Sequence, residues 1–252
     1  MSFDIKTTEY FKKNFEEILK LLPEVLESQE ESAIHQMRVH IKKLYALVNL
    51  LEKSEPDSKI KRDFKPIRRL FKKAGVIREI QLDLSKLEKV AGYDARKFPE
   101  LHQKLEKKKR KISRNGEEWE TIVHRVIELF TYYDFKLPIR LLQDYFYSSL
   151  TLANNFMQQK EFHEARKKIK SVFYLKDLLP EIDQNSLGID FSFLNDLQEK
   201  IGTWNDLHLS ALRKDFDKGD FNLESDFQQL SGELKNKAKN FMDSVYQKDK
   251  SQ

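Results

Sequence analysis

Apolar residues recur along most of the chain at the three- and four-residue spacing that places them on one side of an α-helix. This periodicity predicts eight helices, at about residues 5–28, 32–53, 59–91, 99–133, 138–157, 160–179, 190–216 and 222–247. Pro66 and Gly75 are expected to bend or divide the third helix, and Gly116 is a weak point in the fourth. Because runs with strand-like alternation are rare, the pattern predicts an all-α protein with four helices in each half.

The second and sixth predicted helices carry the same motif, His-x-x-Arg-x-x-x-Lys. Its two copies, 128 residues apart, are His35, Arg38 and Lys42 in the first half and His163, Arg166 and Lys170 in the second. Downstream, KKAGVIREI matches EKIGTWNDL at an offset of 127 residues. A repeat of this length indicates a duplicated unit. We therefore expect one domain over residues 1–252, built from pseudo-symmetric four-helix bundles at 1–135 and 136–252.

The cations of each motif lie beside the apolar side of their helix. At 100° per residue, the first copy falls in a sector that adjoins Ile34, Met37, Ile41, Leu44 and Val48. An ordinary solvated stripe would lie opposite the buried side. The copied stripes therefore predict one basic groove or cavity between the two halves. A lone histidine at the edge of an apolar side is more often a packing residue, and its duplication at matched positions favours a ligand role.

The net charge of +5 is unevenly distributed. Residues 1–128 contain 29 Lys and Arg against 22 Asp and Glu, whereas the remainder contains 17 against 19. Such a concentration of cations favours a polyanionic partner. Lys61, Lys65, Arg68 and Lys72 share one side of the third helix and extend the predicted track. The run at 107–111 points around its whole helix, so we interpret it as solvated.

Composition also bears on the compartment and on metals. The chain has no cysteine, which excludes disulfides and thiolate metal sites. Its first residues, MSFDIKTTEYF, do not form the basic start and apolar run of a signal peptide. His124 and Glu128 stand one helical turn apart, but two ligands without a third do not predict a metal site. We expect a cytoplasmic protein without a membrane span, metal or cofactor.

These paired segments resemble the CHAD family, the conserved-histidine α-helical domain, over nearly the whole chain. The resemblance implies two four-helix bundles and binding of inorganic polyphosphate. The positions that it implies for binding are His35, Arg38, Lys42, Lys43 and Arg78, with His163, Arg166, Lys167 and Lys170 in the second copy. The helical spacing of the third helix adds Lys65, Arg68 and Lys72. Glu79, Asn205, Asp206 and Tyr174 would organise the site. The family often has arginine where this chain has Tyr45 and Phe173, and it prefers arginine at Lys42 and Lys43, which predicts weaker phosphate binding.

Three functions remain open on the sequence. The first is a non-enzymatic polyphosphate-binding adaptor or targeting module, associated with polyphosphate granules. The second is a metal-dependent phosphohydrolase acting on polyphosphate or triphosphate, which would need clustered carboxylates beside the track. The third is nucleic-acid binding on the same basic surface, which would need a recognition helix or a stacking motif. The sequence favours the first.

We expect the protein to release no phosphate from long-chain polyphosphate or from ATP in the presence of magnesium or manganese, because no set of carboxylates clusters beside the track. A phosphate-release assay against a control without protein checks this. Metal-dependent release that disappears on Glu79→Gln or Asp83→Asn would contradict it.

Overall fold

The computed structural model describes residues 4–88, 98–133, 135–179, 187–212 and 221–246. It divides into two compact units, an N-terminal unit over Asp4–Leu137 and a C-terminal unit that begins at Pro138. The fold is all-α, as the periodicity predicted, with one short two-stranded sheet in addition. Along the parts of the chain that the structure describes, no helix is long and apolar enough to cross a membrane.

The N-terminal unit is a ring of packed helices. Its elements are β1 (Asp4–Lys6), α1 (Thr8–Glu27), α2 (Glu31–Ser54), α3 (Ile60–Asp63), α4 (Lys65–Glu88), α5 (Pro99–Ser113), α6 (Gly116–Thr131) and β2 (Lys136–Pro138). Helix α1 packs on α2, α2 on α4, α4 on α5 and α6, and α6 returns to α1. This closes a four-helix bundle whose fourth member is the pair α5 and α6.

Aromatic side chains fill the centre of this bundle. The ring of Phe130 meets Phe11 at 5.0 Å and Phe15 at 5.4 Å between centroids, in edge-to-face geometry, and lies 6.0 Å from Phe64. Edge-to-face pairs add to the hydrophobic gain of burying large rings. The strands β1 and β2, which stand at the beginning and the end of the unit's sequence, pair with each other. Beside them, buried Thr7 donates a hydrogen bond to the carbonyl of Phe135 at 3.1 Å.

The C-terminal unit has the same kind of ring. Its elements are α7 (Ile139–Gln158), α8 (Phe162–Lys176), α9 (Phe191–Leu212), α10 (Phe221–Lys239) and α11 (Phe241–Val245). Helix α7 packs on α8, α8 on α9, α9 on α10, and α10 on α7, while α11 packs on α7 and α9. Each unit is thus a bundle whose last helix is divided, here at Asn240.

The structure differs from the sequence prediction where helices break. The third predicted helix divides at Phe64, so Pro66 lies in the first turn of α4, where a missing N–H costs nothing. Gly75 does not divide α4, which continues to Glu88. The fourth breaks at 114–115, directly before Gly116. The predicted helix ends at 89–91, 213–216 and 247 lie outside the described residues.

Candidate functional site

The apolar side of α2 is buried in the core of the N-terminal unit, as the periodicity predicted. Its members, none more than 1% exposed, are Ile34, Met37, Ile41, Leu44 and Val48. The basic stripe follows the edge of this side, with His35 and Lys42 exposed and Arg38 half-buried. The stripe therefore stands at the core boundary, where a long cationic side chain packs its stem and keeps its head near water.

Arg38 reaches from α2 to the backbone of α4. Its Nη1 donates a hydrogen bond to the carbonyl oxygen of Phe71 at 2.5 Å, and its Cζ lies 3.9 Å from the centroid of the Phe71 ring. One turn further along α4, a Cβ atom on Gly75 would come within 2.1 Å of Nη1. The guanidinium can therefore lie against α4 because residue 75 has no side chain.

Arg166 makes the equivalent contact in the C-terminal unit. Its Nε donates a hydrogen bond to the carbonyl of Gln198 at 2.8 Å, and a Cβ on Gly202 would lie 2.9 Å from its Nη2. In both units the accepting carbonyl precedes the glycine by four residues, so the arginine shares it with the helical N–H of that glycine. We call this arrangement the arginine–glycine contact.

Arg38 is a partly desolvated cation with another cation beside it. Burial lowers the pKa of Arg38, the charge of Arg78 acts in the same direction, and the carboxylate of Glu79 opposes both. Removing a cation from water and placing a like charge near it both disfavour its charged form. An anion bound here would therefore stabilise the charged form of Arg38, which burial and the neighbouring charge of Arg78 disfavour.

Further cations of the N-terminal unit lie over aromatic rings between α2 and α4. The Cζ of Arg68 lies 4.4 Å from the centroid of the Tyr45 ring, and the Nζ of Lys42 lies 6.0 Å from that of Phe71. Because Tyr45 meets Arg68 while Arg38 meets Phe71, the two helices run antiparallel. The stripe of α2 and the cations of α4 consequently border the same seam.

Arg78 lies at the far end of this seam. Its Nη1 donates hydrogen bonds to the carbonyl oxygen of Glu31 at 3.0 Å and to the carboxylate of Glu31 at 3.1 Å, and the side chain is 19% exposed. This pair ties α4 to the first turn of α2. We use the name α2–α4 face for the cations Arg38, Lys42, Arg68 and Arg78 at the seam, together with Lys65 and Lys72, which share the side of Arg68 on α4 by helical spacing.

Not every predicted member of the track belongs to this face. Lys61 lies on α3, before the break at Phe64, and its Nζ pairs with Glu52 at 2.5 Å. Lys65 and Lys72 are exposed on α4, and Lys43 is half-buried on α2. The predicted extension of the stripe therefore begins at Lys65.

The second stripe differs in its surroundings. His163 and Lys167 are exposed on α8, and the Nζ of Lys167 pairs with Glu164 at 2.6 Å. Burial lowers the pKa of Lys170, with the charge of Arg166 acting in the same direction, and burial raises the pKa of Tyr174. On α9, the predicted organising residues Asn205 and Asp206 are half-buried and exposed, respectively.

Sequence reasoning missed the residues that hold the arginines. Gly75 and Gly202 match in the downstream repeat, but a glycine inside a helical pattern also predicts a bend or a break, and α4 does not break at Gly75. Phe71 was not expected to contact the stripe. The signal that could have revealed this contact is that both the arginine and the glycine recur in the second half of the chain, at Arg166 and Gly202. Within the described residues, no three His, Asp or Glu side chains are grouped as metal ligands would be.

The family model of the CHAD domain matches residues 9–214 of the chain. Since this is most of the chain, the protein belongs to the CHAD domain family. No curated protein matches it at a significant level.

A solved structure has the same fold. The crystal structure of the CHAD domain from the plant Ricinus communis superposes with a TM-score of 0.60 and covers 97% of this chain and 90% of that chain. The two sequences are 18% identical, so the likeness concerns the fold alone.

The arginine–glycine contact predicts an unusual response to Gly75→Ala. In an otherwise wild-type chain, the new Cβ displaces Arg38 from the Phe71 carbonyl and lowers the free energy of unfolding by about 1–2 kcal/mol. In the Arg38→Ala background, the same substitution should raise it by about 1 kcal/mol, because alanine favours a helix over glycine. Urea unfolding of the four proteins in this cycle measures the coupling.

Gly232 on α10 provides the matched control. A Cβ there meets nothing within 4 Å, so Gly232→Ala should stabilise the protein in either background by up to about 1 kcal/mol. A Gly75→Ala effect of equal size and sign in both backgrounds would show that Arg38 does not rest on this glycine.

Proposed function

We propose that the protein binds inorganic polyphosphate along the α2–α4 face without hydrolysing it, and acts as an adaptor that attaches to polyphosphate. The observation that carries the proposal is the arginine–glycine contact at Arg38. A guanidinium held by a carbonyl and an aromatic ring has already lost much of its freedom, so binding an anion costs less entropy. The protein's membership of the CHAD family supports the same function.

The shape of the face suits a linear anion. Polyphosphate carries about one negative charge per phosphate and no bases, so it requires a row of cations and nothing that reads sequence. From Arg68 to Arg78, α4 rises about 15 Å at 1.5 Å per residue, and the α2 stripe follows the other side of the seam. His35 and Lys43 on α2 belong to the proposed contacts.

The rings along the face favour polyphosphate over nucleic acid. Proteins that hold single strands present open aromatic faces on which bases stack. Here Tyr45 lies against Arg68 at 4.4 Å and against Phe64 at 6.3 Å between centroids, and Phe71 lies beneath Arg38 at 3.9 Å. The rings thus orient cations, and the face offers positive charge with little room for a base to stack.

We expect Arg38→Ala to weaken polyphosphate binding by roughly 10- to 100-fold, because a hydrogen bond to a charged group contributes about 1.5–3 kcal/mol. Lys108→Ala removes the same charge from the exposed run on α5 and should weaken binding by less than about twofold. Titrations at two salt concentrations compare the variants with the wild-type protein. If Arg38→Ala and Lys108→Ala lost equal affinity at both salt concentrations, the protein would be a diffuse polycation without a defined site.

Competition for labelled polyphosphate separates this function from nucleic-acid binding. At equal phosphate concentration and fixed salt, unlabelled polyphosphate should compete at least about tenfold better than poly(U) RNA or duplex DNA, since the bases gain no stacking. Arg68→Ala uncovers the ring of Tyr45, on which a base could then stack. We therefore expect this variant to show a smaller difference in competition between polyphosphate and the nucleic acids. RNA or DNA competing as well as polyphosphate would contradict the proposal.

A further inference from the structure

The two units share the arginine–glycine contact but differ in the charge of the helix that receives the arginine. Helix α4 carries seven Lys and Arg against three Asp and Glu, whereas α9 carries one against three. The receiving helix is thus strongly basic in the N-terminal unit and acidic in the C-terminal unit. Because of this difference in charge, the surfaces beside α4 and α9 are not equivalent in their attraction for a polyanion.

The replacement includes every α4 position of the face. The shared role of Gly75 and Gly202 fixes the register between α4 and α9. In that register, Lys65, Arg68, Lys72 and Arg78 correspond to Ser192, Asn195, Glu199 and Asn205. All four α4 cations of the face are therefore lost in the second copy, and one of them has become a carboxylate.

The second stripe also faces acidic neighbours. Glu199 acts on Lys170 electrostatically, since its charge raises the pKa of that lysine against the larger effect of burial. Lys200, the lysine of α9, pairs with Glu233 at 3.0 Å, and Lys167 pairs with Glu164 at 2.6 Å. A polyanion would compete with carboxylates for both Lys167 and Lys170, whereas on the N-terminal face it would compete with Glu31 for Arg78.

We infer that the polyanion is bound by the α2–α4 face of the N-terminal unit, and that Arg166 is a positioning residue that fastens α8 to α9. This inference rests on the proposed function and narrows it, because the second stripe then contributes little to affinity. Packing explains the second arginine, since the carbonyl of Gln198 and the space at Gly202 hold it in the same way on a helix that lacks the cations of α4.

Matched substitutions in the two units test the inference. Lys42 and Lys170 occupy equivalent positions of the motif, and Lys72 and Glu199 occupy equivalent positions of the receiving helices. The experiment measures long-chain polyphosphate affinity, over a range of salt, for Lys42→Ala, Lys170→Ala, Lys72→Glu and Glu199→Lys. We expect Lys42→Ala to weaken binding at least about fivefold and Lys72→Glu at least about tenfold, while the two C-terminal variants stay within about twofold.

Two other outcomes are distinguishable. If Lys170→Ala weakens binding as much as Lys42→Ala, and Glu199→Lys strengthens it at least about fivefold, the polyanion contacts both stripes and the inference is overturned while polyphosphate binding stands. If the wild-type protein itself binds no polyphosphate at low salt, the proposed function fails, and the inference fails with it. Circular dichroism of each variant verifies that the helices are intact.

Discussion

The basic face depends on one contact, in which an arginine of one helix lies directly on the backbone of its neighbour. Arg38 bonds to a carbonyl of α4 and covers the ring of Phe71, and the absence of a side chain at Gly75 leaves the space that it occupies. The cations of α2 and α4 border one seam because the same packing aligns the two helices. The face is therefore a product of helix packing more than of net charge.

This contact has an electrostatic cost that is relevant to binding. A half-buried guanidinium loses hydration, and its hydrogen bond and ring contact compensate only in part, which agrees with the lowered pKa of Arg38. The rest of this desolvation cost is offset by the stability of the bundle core, which buries the apolar side of α2 and the aromatic cluster around Phe130. A cation kept in place at the core boundary gains more from an anion than a fully solvated lysine does, because solvent and salt screen it less.

Much of the fold could be predicted from sequence, since helical periodicity, burial of the α2 side and CHAD family membership are all confirmed. The packing role of Gly75 could not be predicted because local propensity cannot show that a side chain of another helix lies there. The ring beneath Arg68 could not be predicted either, since it depends on the register between α2 and α4. The proposed binding residues, the internal duplication and a shared groove between the two halves stay predictions.

The most direct test of the central claim is a crystal structure of the protein with a short linear polyphosphate such as tripolyphosphate. The account predicts that the phosphate oxygens lie along the seam of α2 and α4, within hydrogen-bonding distance of Arg38, and that Arg38 keeps its bond to the Phe71 carbonyl. Phosphates found on the lysine run of α5, or an Arg38 side chain that has left α4 to reach them, would contradict it.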